Sequence, residues 1–410
     1  MTKHKHQWVW IIGAGLMQLP IIEAAKTRGY AVMITDRNPQ APGIARSDDF
    51  HQIDTYDVAG HLKLAERLSK AHRPIVACVA DAIDVGHVSA ASADYLGLTS
   101  LTYTVAKKLG SKVELRQALR LAQPIYLIGE PYIYAADLWQ RWFKLCNIEE
   151  LSCFPCVIKA ADNCGTRGVS MVHDLDEFAF AVGLAQNNNH DDKRILVEEY
   201  LQIVEECASD WFVTRDHQVI QANGAKRWFD KEHFGIEIMY TNPWVAPEAC
   251  QRLAEKLVER CGVKYGPIKI DFIRDARYGW CLAEAAGRWS GGFDHTHAYP
   301  LSTGGDLVSV VLDWALGNEI AEQRLRIPQE HQWACGMSPL YKPGKIADWQ
   351  IPELAHTDHT KIINRGFTEL VDPKDCGQRP IFIIADGDSE ANAISHAQAI
   401  AEMVRPIYVA

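Results

Sequence analysis

Two short apolar runs joined by a charged turn constrain the fold of this chain more than any other part of its sequence. The runs are residues 268–273 and 280–284, and the turn between them is Arg-Asp-Ala-Arg-Tyr-Gly. Apolar runs that flank a polar turn containing glycine are typical of a β-hairpin. A hairpin of this length brings Asp271 on the first strand beside Glu284 on the second. Two adjacent carboxylates repel each other unless a cation lies between them.

The paired carboxylates favour a magnesium site. Mg²⁺ prefers oxygen ligands and commonly takes one or two carboxylates together with phosphate oxygens. Arg288 follows Glu284 in a segment rich in alanine and glycine, and its planar guanidinium suits an anion beside the metal. The alternative, from these residues alone, is a surface hairpin whose acids are exposed to water.

A second segment has the properties of a phosphate-binding loop. An apolar strand ends in Lys159, and the loop that follows, residues 162–168, contains Gly165 and Gly168. Such a loop can lie against phosphates and offer backbone N–H groups, while the lysine supplies a positive charge. The segment is not a P-loop, because no Gly-Lys-Ser/Thr sequence follows. We expect it to be mobile without nucleotide.

Charged residues close two further apolar runs. Glu198 and Glu199 end a strand and are followed by Leu201 and Glu206. Acids in such positions are commonly exposed, so the residues alone do not assign them a role. Lys226 ends a later apolar run, where the residues alone indicate a solvated lysine.

The order and spacing of these parts resemble the ATP-grasp superfamily, over most of the chain from about Trp8 onward. The chain is most similar to carboxylate–amine ligases of the L-amino-acid-ligase type, and more distantly to biotin carboxylase and the carbamoyl-phosphate synthetase large subunit. The resemblance implies ATP and Mg²⁺ as cofactors. It also implies the following site: Lys112 and Lys159 on the phosphates, Gly165 and Gly168 in the covering loop, Glu198, Glu199 and Leu201 at the adenine, Glu206 at the ribose, Asp271 and Glu284 on Mg²⁺, and Arg288 and Lys226 at the reacting groups.

One position departs from the pattern of the family. The family usually has asparagine two residues after the second metal-binding glutamate, where it serves as a further ligand, and this chain has Ala286 there. Alanine cannot coordinate a metal. The departure leaves the number of metal ions open.

The resemblance predicts an ATP-grasp fold of mixed α/β and α+β class. An N-terminal Rossmann-like domain with a parallel sheet would span residues 1–110, and a small C-terminal α+β domain would span residues 326–410. The ATP-grasp domain would lie between them, at residues 111–325, with its lid at about 153–200. Short strands near residues 344–346, 361–363 and 380–387, then a helix from about 389 to 403, are the predicted elements of the C-terminal domain.

The first domain also has features of a site for a different ligand, a dinucleotide. Alternating apolar strands and helices predict its parallel sheet. Gly13, Gly15 and Asp36 occupy positions of a dinucleotide-binding motif, but Gln18 stands where the third glycine belongs, so the motif is weak.

Polar residues after the third strand of this domain have two interpretations. Asp81, Asp84 and His87 follow that strand at the edge where α/β sheets place ligands. We favour capping of the next helix by Asp81 or Asp84 over contact with substrate. Later in the chain, the spacing of His295 and His297 suggests a zinc site. No third ligand follows at a fixed spacing, so we favour the interpretation that they are histidines of a substrate pocket or of the surface.

Composition indicates a water-soluble protein of more than one domain. The 410 residues exceed what one core usually spans, and a net charge of −10 without a basic block argues against nucleic acid as a partner. No apolar run approaches the roughly 20 residues that cross a bilayer. Eleven scattered cysteines without a signal peptide predict reduced thiols in the cytoplasm. The polar first six residues are expected to be frayed, and a homodimer is compatible with the sequence.

Three functions follow from these observations. The first is an ADP-forming ligase that phosphorylates a carboxylate and couples it to an amine, with amino acids as the expected small-molecule substrates. The second is an ATP-grasp enzyme that phosphorylates bicarbonate or carbamate, although the chain has no biotin-attachment or amidotransferase segment. The third, motivated by Ala286, is a nucleotide-binding protein without catalysis.

Overall fold

The computed structural model describes residues 6–120, 124–352 and 358–409. The polar start of the chain lies outside these ranges except for His6. The helices are α1 (Leu19–Thr27), α2 (Val58–Lys70), α3 (Gly86–Leu96), α4 (Tyr103–Gly110), α5 (Lys112–Leu119), α6 (Ala135–Ile148), α7 (Leu175–Asn187), α8 (Glu248–Cys261), α9 (Tyr299–Thr303), α10 (Leu307–Ala315) and α11 (Glu390–Met403).

Nineteen strands within the described residues form four sheets. The strands are β1 (Trp8–Ile12), β2 (Ala31–Asp36), β3 (Asp49–Gln52), β4 (Ile75–Val79), β5 (Tyr126–Gly129), β6 (Cys156–Ala160), β7 (Val169–Val172), β8 (Ile195–Glu199), β9 (Ile203–Val213), β10 (Val219–Phe229), β11 (Glu237–Asn242), β12 (Gly266–Asp275), β13 (Gly279–Ala286), β14 (Trp333–Met337), β15 (Gly344–Gln350), β16 (Thr360–Asn364), β17 (Glu369–Leu370), β18 (Ile381–Gly387) and β19 (Arg405–Tyr408).

The N-terminal sheet is parallel, in the order β3-β2-β1-β4, which confirms the prediction for this region. The glycine turn after β1 is held by the chain itself. Asp36 accepts hydrogen bonds from the backbone N–H groups of Ala14 and Asn38, and Gln18 accepts one from Gly15 and donates one to the carbonyl of Asp81. These contacts engage the carboxylate that would hold the ribose of a dinucleotide, which weighs against that alternative.

The central sheet has eight strands in the order β13-β12-β9-β10-β11-β14-β18-β16. Its first five strands belong to the predicted ATP-grasp region. The outer three come from beyond residue 326, where the sequence predicts a separate C-terminal domain, and helix α11 packs on β14 and β18. The predicted strands and helix of that region are present, and three of its strands complete the central sheet. The exact domain boundaries stay predictions.

A second antiparallel sheet, which we call the lid sheet, has the order β5-β8-β6-β7 and carries the predicted phosphate loop. Helices α6 and α7 supply its core, in which Trp142 and Phe178 are buried against Ile158 and Val197. The loop between β6 and β7 is the segment that carries Gly165 and Gly168. This sheet therefore positions both the loop and Lys159 opposite the central sheet.

None of the helices in the described ranges has the length and apolar character to span a membrane. All eleven cysteines are free thiols, and eight of them are buried.

Candidate active site

A cavity of about 910 Å³ lies between the central sheet, the lid sheet and the segment that precedes β18. It brings together nearly all the residues predicted from the sequence. The predicted residues that line it are Lys112, Lys159, Gly165, Glu198, Glu199, Leu201, Glu206, Lys226, Asp271, Glu284 and Arg288.

Gly168 is the one predicted residue that does not line this cavity. Its φ is +71°, and a Cβ there would lie 2.7 Å from the Cβ of Asn188 and 2.9 Å from that of Ala160. Glycine is therefore required for a close turn at the base of the loop.

The predicted hairpin is present, and its two carboxylates face each other. Asp271 on β12 pairs with Glu284 on β13 in the register of the antiparallel strands. Oδ1 of Asp271 is buried without a hydrogen-bond partner in the described part of the chain, whereas Glu284 is 35% exposed toward the cavity. Two oxygen donors, one of them uncommitted, fit a magnesium ion that completes its shell with phosphate oxygens.

Fixed cations already flank this carboxylate pair. Nζ of Lys269 lies 2.7 Å from Oδ2 of Asp271 and 3.8 Å from Oε1 of Glu284, and Nζ of Lys112 lies 3.3 Å from Oε2 of Glu284. Burial alone would raise the pKa of Glu284, but the two lysines hold it below its ordinary value. The sequence analysis missed Lys269. Its spacing from Asp271 is a usable signal, because residues two apart on a strand share a face.

Glu198 is fixed by two cations instead of being available to a ligand. Its carboxylate accepts hydrogen bonds from Nε of Arg116 at 2.6 Å and from Nζ of Lys159 at 2.5 Å. Burial would raise the pKa of Glu198, but these cations lower it to about 2. Arg116 also donates to the carbonyls of Leu282 and Ala283 on β13, so it ties the lid strand to the hairpin. The sequence analysis missed Arg116, which lies one helical turn after Lys112 on α5.

The acids near the predicted adenine and ribose positions have different surroundings. Glu199 is paired with Arg277 at 3.2 Å and accepts a hydrogen bond from the backbone of Ile125. Glu206 lines the cavity, and its burial raises its pKa, an effect that Arg227 partly offsets. Leu201 is buried at the cavity wall.

Arg288 is buried and pairs with a residue of the N-terminal domain. Its Nη2 donates to Asp84 and its Nη1 to the carbonyl of Trp289 at 2.6 Å. The favoured capping role of Asp81 or Asp84 is therefore wrong. Helix α3 begins after Val85 without a side-chain cap, because both carboxylates have cationic partners.

The cationic partner of Asp81 is His295, whose Nε2 lies 3.1 Å from Oδ2 of the aspartate. Burial alone would lower the pKa of His295, but Asp81 raises it to about 9. His295 is fully buried, so the expectation of a pocket or surface histidine is wrong for this residue. In the described ranges no group of three or more His, Cys, Asp or Glu side chains is arranged to hold a metal ion, and the structure does not support a zinc site at His295 and His297.

A closed polar cluster lies next to this ion pair. Oδ1 of Asp210 accepts from the N–H and hydroxyl of Ser290, and Oδ2 accepts from the amide of Asn223. The same amide donates to Asp294, which also accepts from Asn242. Burial raises the pKa of Asp294 to about 7, with a further contribution from Asp210. We refer to these five residues as the closed cluster.

The predicted phosphate loop makes contacts with three parts of the molecule. Asn163 accepts a hydrogen bond from Nζ of Lys112 at its carbonyl. The hydroxyl of Thr166 donates to the carbonyl of Gly235 before β11, and the carbonyl of Gly165 accepts from the N–H of Cys376. The mobility of the loop without nucleotide stays a prediction.

Lys226 faces the cavity from β10. Its Nζ lies 3.9 Å from Glu205 and 3.8 Å from Glu390, and its side chain is one-third exposed. It is therefore near enough to the cavity to meet a ligand, although its role stays a prediction.

The fold and the site together form one architecture, in which the lid sheet lies over a cavity that contains a carboxylate pair and fixed cations. Residues 152–297 match the model of the ATP-grasp domain. These residues therefore form an ATP-grasp domain, and the fold predicted from the sequence is confirmed. No curated protein matches the chain.

Solved structures share this fold at low sequence identity. An L-amino acid ligase from Bacillus licheniformis has a TM-score of 0.78 and 19% identity, with all of both chains covered. A phosphoribosylglycinamide synthetase from Anaerococcus prevotii has a TM-score of 0.73 and 16% identity over 98% of this chain and 100% of the other. The biotin carboxylase domain of 2-oxoglutarate carboxylase from Hydrogenobacter thermophilus, solved with MgADP and bicarbonate, has a TM-score of 0.71 and 14% identity over 97% and 90%. These similarities concern the fold.

Proposed function

We propose that this protein is an ADP-forming ligase that uses ATP to convert a carboxylate into an acyl phosphate and then couples the acyl group to an amine. The observation that carries the proposal is the buried Arg288 beside the carboxylate pair Asp271 and Glu284 in one cavity. An arginine in that position offers two N–H groups to a carboxylate. Enzymes of the ATP-grasp family use ATP and Mg²⁺, and amino acids are the first substrates to test.

The chemistry requires two anions to meet. A carboxylate approaches the γ-phosphoryl group of ATP against electrostatic repulsion, and the transferring group spreads negative charge over its oxygens. Lys112, Lys159 and Lys269 surround the cavity with fixed positive charge, which stabilises that charge without reorganisation. Mg²⁺ held by Asp271 and Glu284 would supply further neutralisation of the phosphate oxygens.

Two features would protect the acyl phosphate. The loop of residues 162–168 covers the side of the cavity that faces the lid sheet and is held by contacts to Gly235 and Cys376. Arg288 would orient the acid, because its guanidinium is itself fixed by Asp84 and the carbonyl of Trp289. Exclusion of water would prevent hydrolysis of the intermediate before the amine attacks.

Hydroxylamine offers a test that does not require the natural amine to be known. The protein is incubated with Mg-ATP, hydroxylamine and one acid at a time, starting with the twenty amino acids and common dicarboxylates. We expect one acid, or a small group of acids, to release ADP and an equal amount of hydroxamate. The Glu248→Gln variant, changed on the exposed face of α8, is the matched control for handling and stability.

Two results would contradict the proposal. ADP release that depends on bicarbonate and needs no organic acid would support the bicarbonate-phosphorylating alternative. Binding of ATP without turnover in the presence of every acid would support a protein that binds nucleotide without catalysis.

A further inference from the structure

A second cavity, of about 410 Å³, lies on the other side of the charged residues just described. The two cavities share Asp84, Lys112, Cys164, Lys269, Glu284 and Arg288. The second is otherwise lined by the N-terminal domain, by helices α4 and α5, and by the lid. A molecule in it would therefore face the same charged residues as a nucleotide and acid in the larger cavity. Its volume lies in the range of small-molecule sites.

Small residues and a close backbone contact shape this cavity. Ala285, Ala286 and Gly287 line one side of it, so the alanine in place of the usual asparagine leaves space there. A Cβ on Gly86 would lie 2.6 Å from the carbonyl oxygen of Gly287. The start of helix α3 is thus packed directly on the segment that leads into Arg288, which brings the next residue, His87, to the cavity wall.

His87 is a half-buried base whose ring is not engaged by the protein. Neither of its ring nitrogens makes a hydrogen bond or an ion pair with any described residue, and the side chain lines the second cavity. The ionisable groups around it are Asp191 and Asp162, which favour its charged form, and Lys107 and His190, which disfavour it. Burial is the largest effect and lowers the pKa of His87 below 6.5, so the imidazole is neutral at pH 7.

Resting on the ligase function proposed above, we propose that the second cavity receives the amine substrate and that His87 accepts a proton from it. We call this cavity the amine chamber. An amine reaches the enzyme as an ammonium ion, which cannot attack a carbonyl because its nitrogen has no free electron pair. Asp191 at the chamber wall attracts that cation, and the neutral ring of His87 can take its proton.

The ammonium nitrogen gives one proton to a ring nitrogen of His87 and becomes a neutral amine. Its electron pair then forms the C–N bond at the acyl carbon, and the C–O bond to phosphate breaks with its electron pair on the phosphate oxygen. The second nitrogen proton leaves on the phosphate, and protonated His87 returns its proton to solvent.

The experiment compares amines of different basicity, with the acid found in the hydroxamate screen. Hydroxylamine is largely neutral at pH 7, whereas methylamine and the amino acids are ammonium ions. We expect His87→Gln to lose at least about tenfold more rate with the ammonium nucleophiles than with hydroxylamine at pH 7. Raising the pH to 9 should restore much of that loss, because the free amine then becomes available. His173→Gln, changed at an exposed site, should behave as wild type.

A second variant tests the chamber without changing its base. Ala286→Leu fills the chamber, so we expect it to raise the KM for the amine at least about tenfold more than the KM for ATP. Equal losses of His87→Gln with hydroxylamine and with ammonium nucleophiles would overturn the role of His87. An unchanged KM for the amine in a folded Ala286→Leu variant would overturn the chamber, as would a wild-type protein that forms hydroxamate but no amide with any tested amine. Absence of hydroxamate with every acid would instead be a failure of the ligase function.

Discussion

The two buried charge clusters beside residues 288–290 differ in what their polar atoms face. In the closed cluster, the carboxylate oxygens of Asp210 and Asp294 accept hydrogen bonds from protein groups. The other cluster, which we call the open cluster, consists of Lys269, Asp271, Glu284 and Arg288. All four residues line the larger cavity, and all except Asp271 also line the second cavity. Both clusters are expensive to bury.

This difference separates structural charge from functional charge within one protein. In the closed cluster each carboxylate oxygen of Asp210 and Asp294 accepts a hydrogen bond from the protein, so we assign this cluster to folding, although Ser290 and Asp294 also line the larger cavity. The open cluster keeps an uncommitted oxygen on Asp271 and a partly exposed Glu284, so we assign it to ligand binding. Variants in the two clusters should therefore fail in different measurements.

The largest effect is expected in the open cluster at Glu284. Glu284→Gln keeps the shape of the side chain and removes the charge that would hold Mg²⁺. We expect turnover to fall about 100-fold or more. The measurement is ADP release at limiting Mg²⁺, with Glu248→Gln as the control on an exposed helix face. Turnover equal to that of wild type would contradict the assignment of Glu284 as a ligand of Mg²⁺.

Arg288 should show the next largest effect. Lysine keeps the charge but loses the planar fork, so Arg288→Lys should lower kcat/KM for the acid by the equivalent of about 1.5–3 kcal/mol and leave ATP affinity nearly intact. Steady-state kinetics with each substrate varied in turn measures both. Arg252→Lys, in an exposed pair on α8, is the matched control. An unchanged kcat/KM for the acid would mean that Arg288 has a structural role and that the acid substrate binds elsewhere.

In the closed cluster, stability should change and catalysis should not. Asp210→Asn replaces one acceptor oxygen by an amide that faces hydrogen-bond donors, so we expect about 1–3 kcal/mol less stability. Urea unfolding measures the loss, and Asp216→Asn on an exposed turn is the control. If Asp210→Asn lowered the activity of the folded fraction instead, the distinction between the two clusters would be wrong.

The last expected effect is a pH dependence of stability at His295. Its pKa is raised in the folded protein from 6.5 to about 9. The folded state therefore holds a proton that the unfolded state loses, and this contribution is complete below pH 6.5 and is lost as the pH rises through 9. We expect the free energy of unfolding to fall by at most about 1.4 kcal/mol per pH unit in that window. His295→Gln should flatten the dependence, and an equal slope in both proteins would contradict the ion pair with Asp81.

The sequence was sufficient for the elements and for the carboxylate pair. A charged turn between two apolar runs specified the β12–β13 hairpin, and the hairpin register placed Asp271 beside Glu284. Alternating strands and helices specified the parallel N-terminal sheet. These features depend on contacts near in sequence or on a regular period, which a single chain displays directly.

The sequence was insufficient for partners that are distant along the chain. Asp84 pairs with Arg288, and Asp81 with His295, across more than 200 residues. A local pattern suggested helix caps at both aspartates, because capping needs only nearby residues. The pairing of β14 with β11 depends on the folded arrangement in the same way.

Because the central sheet is continuous, the region after residue 326 cannot be replaced or removed without disrupting the sheet. Strand β11 bonds to β14, and Thr241 on β11 donates a hydrogen bond to Glu390 at the start of α11. A recombination event near residue 326 would leave β11 as a bare edge, open to pairing with other chains. Truncation before residue 326 should therefore impair the folding of the central sheet, and not only remove the strands that follow.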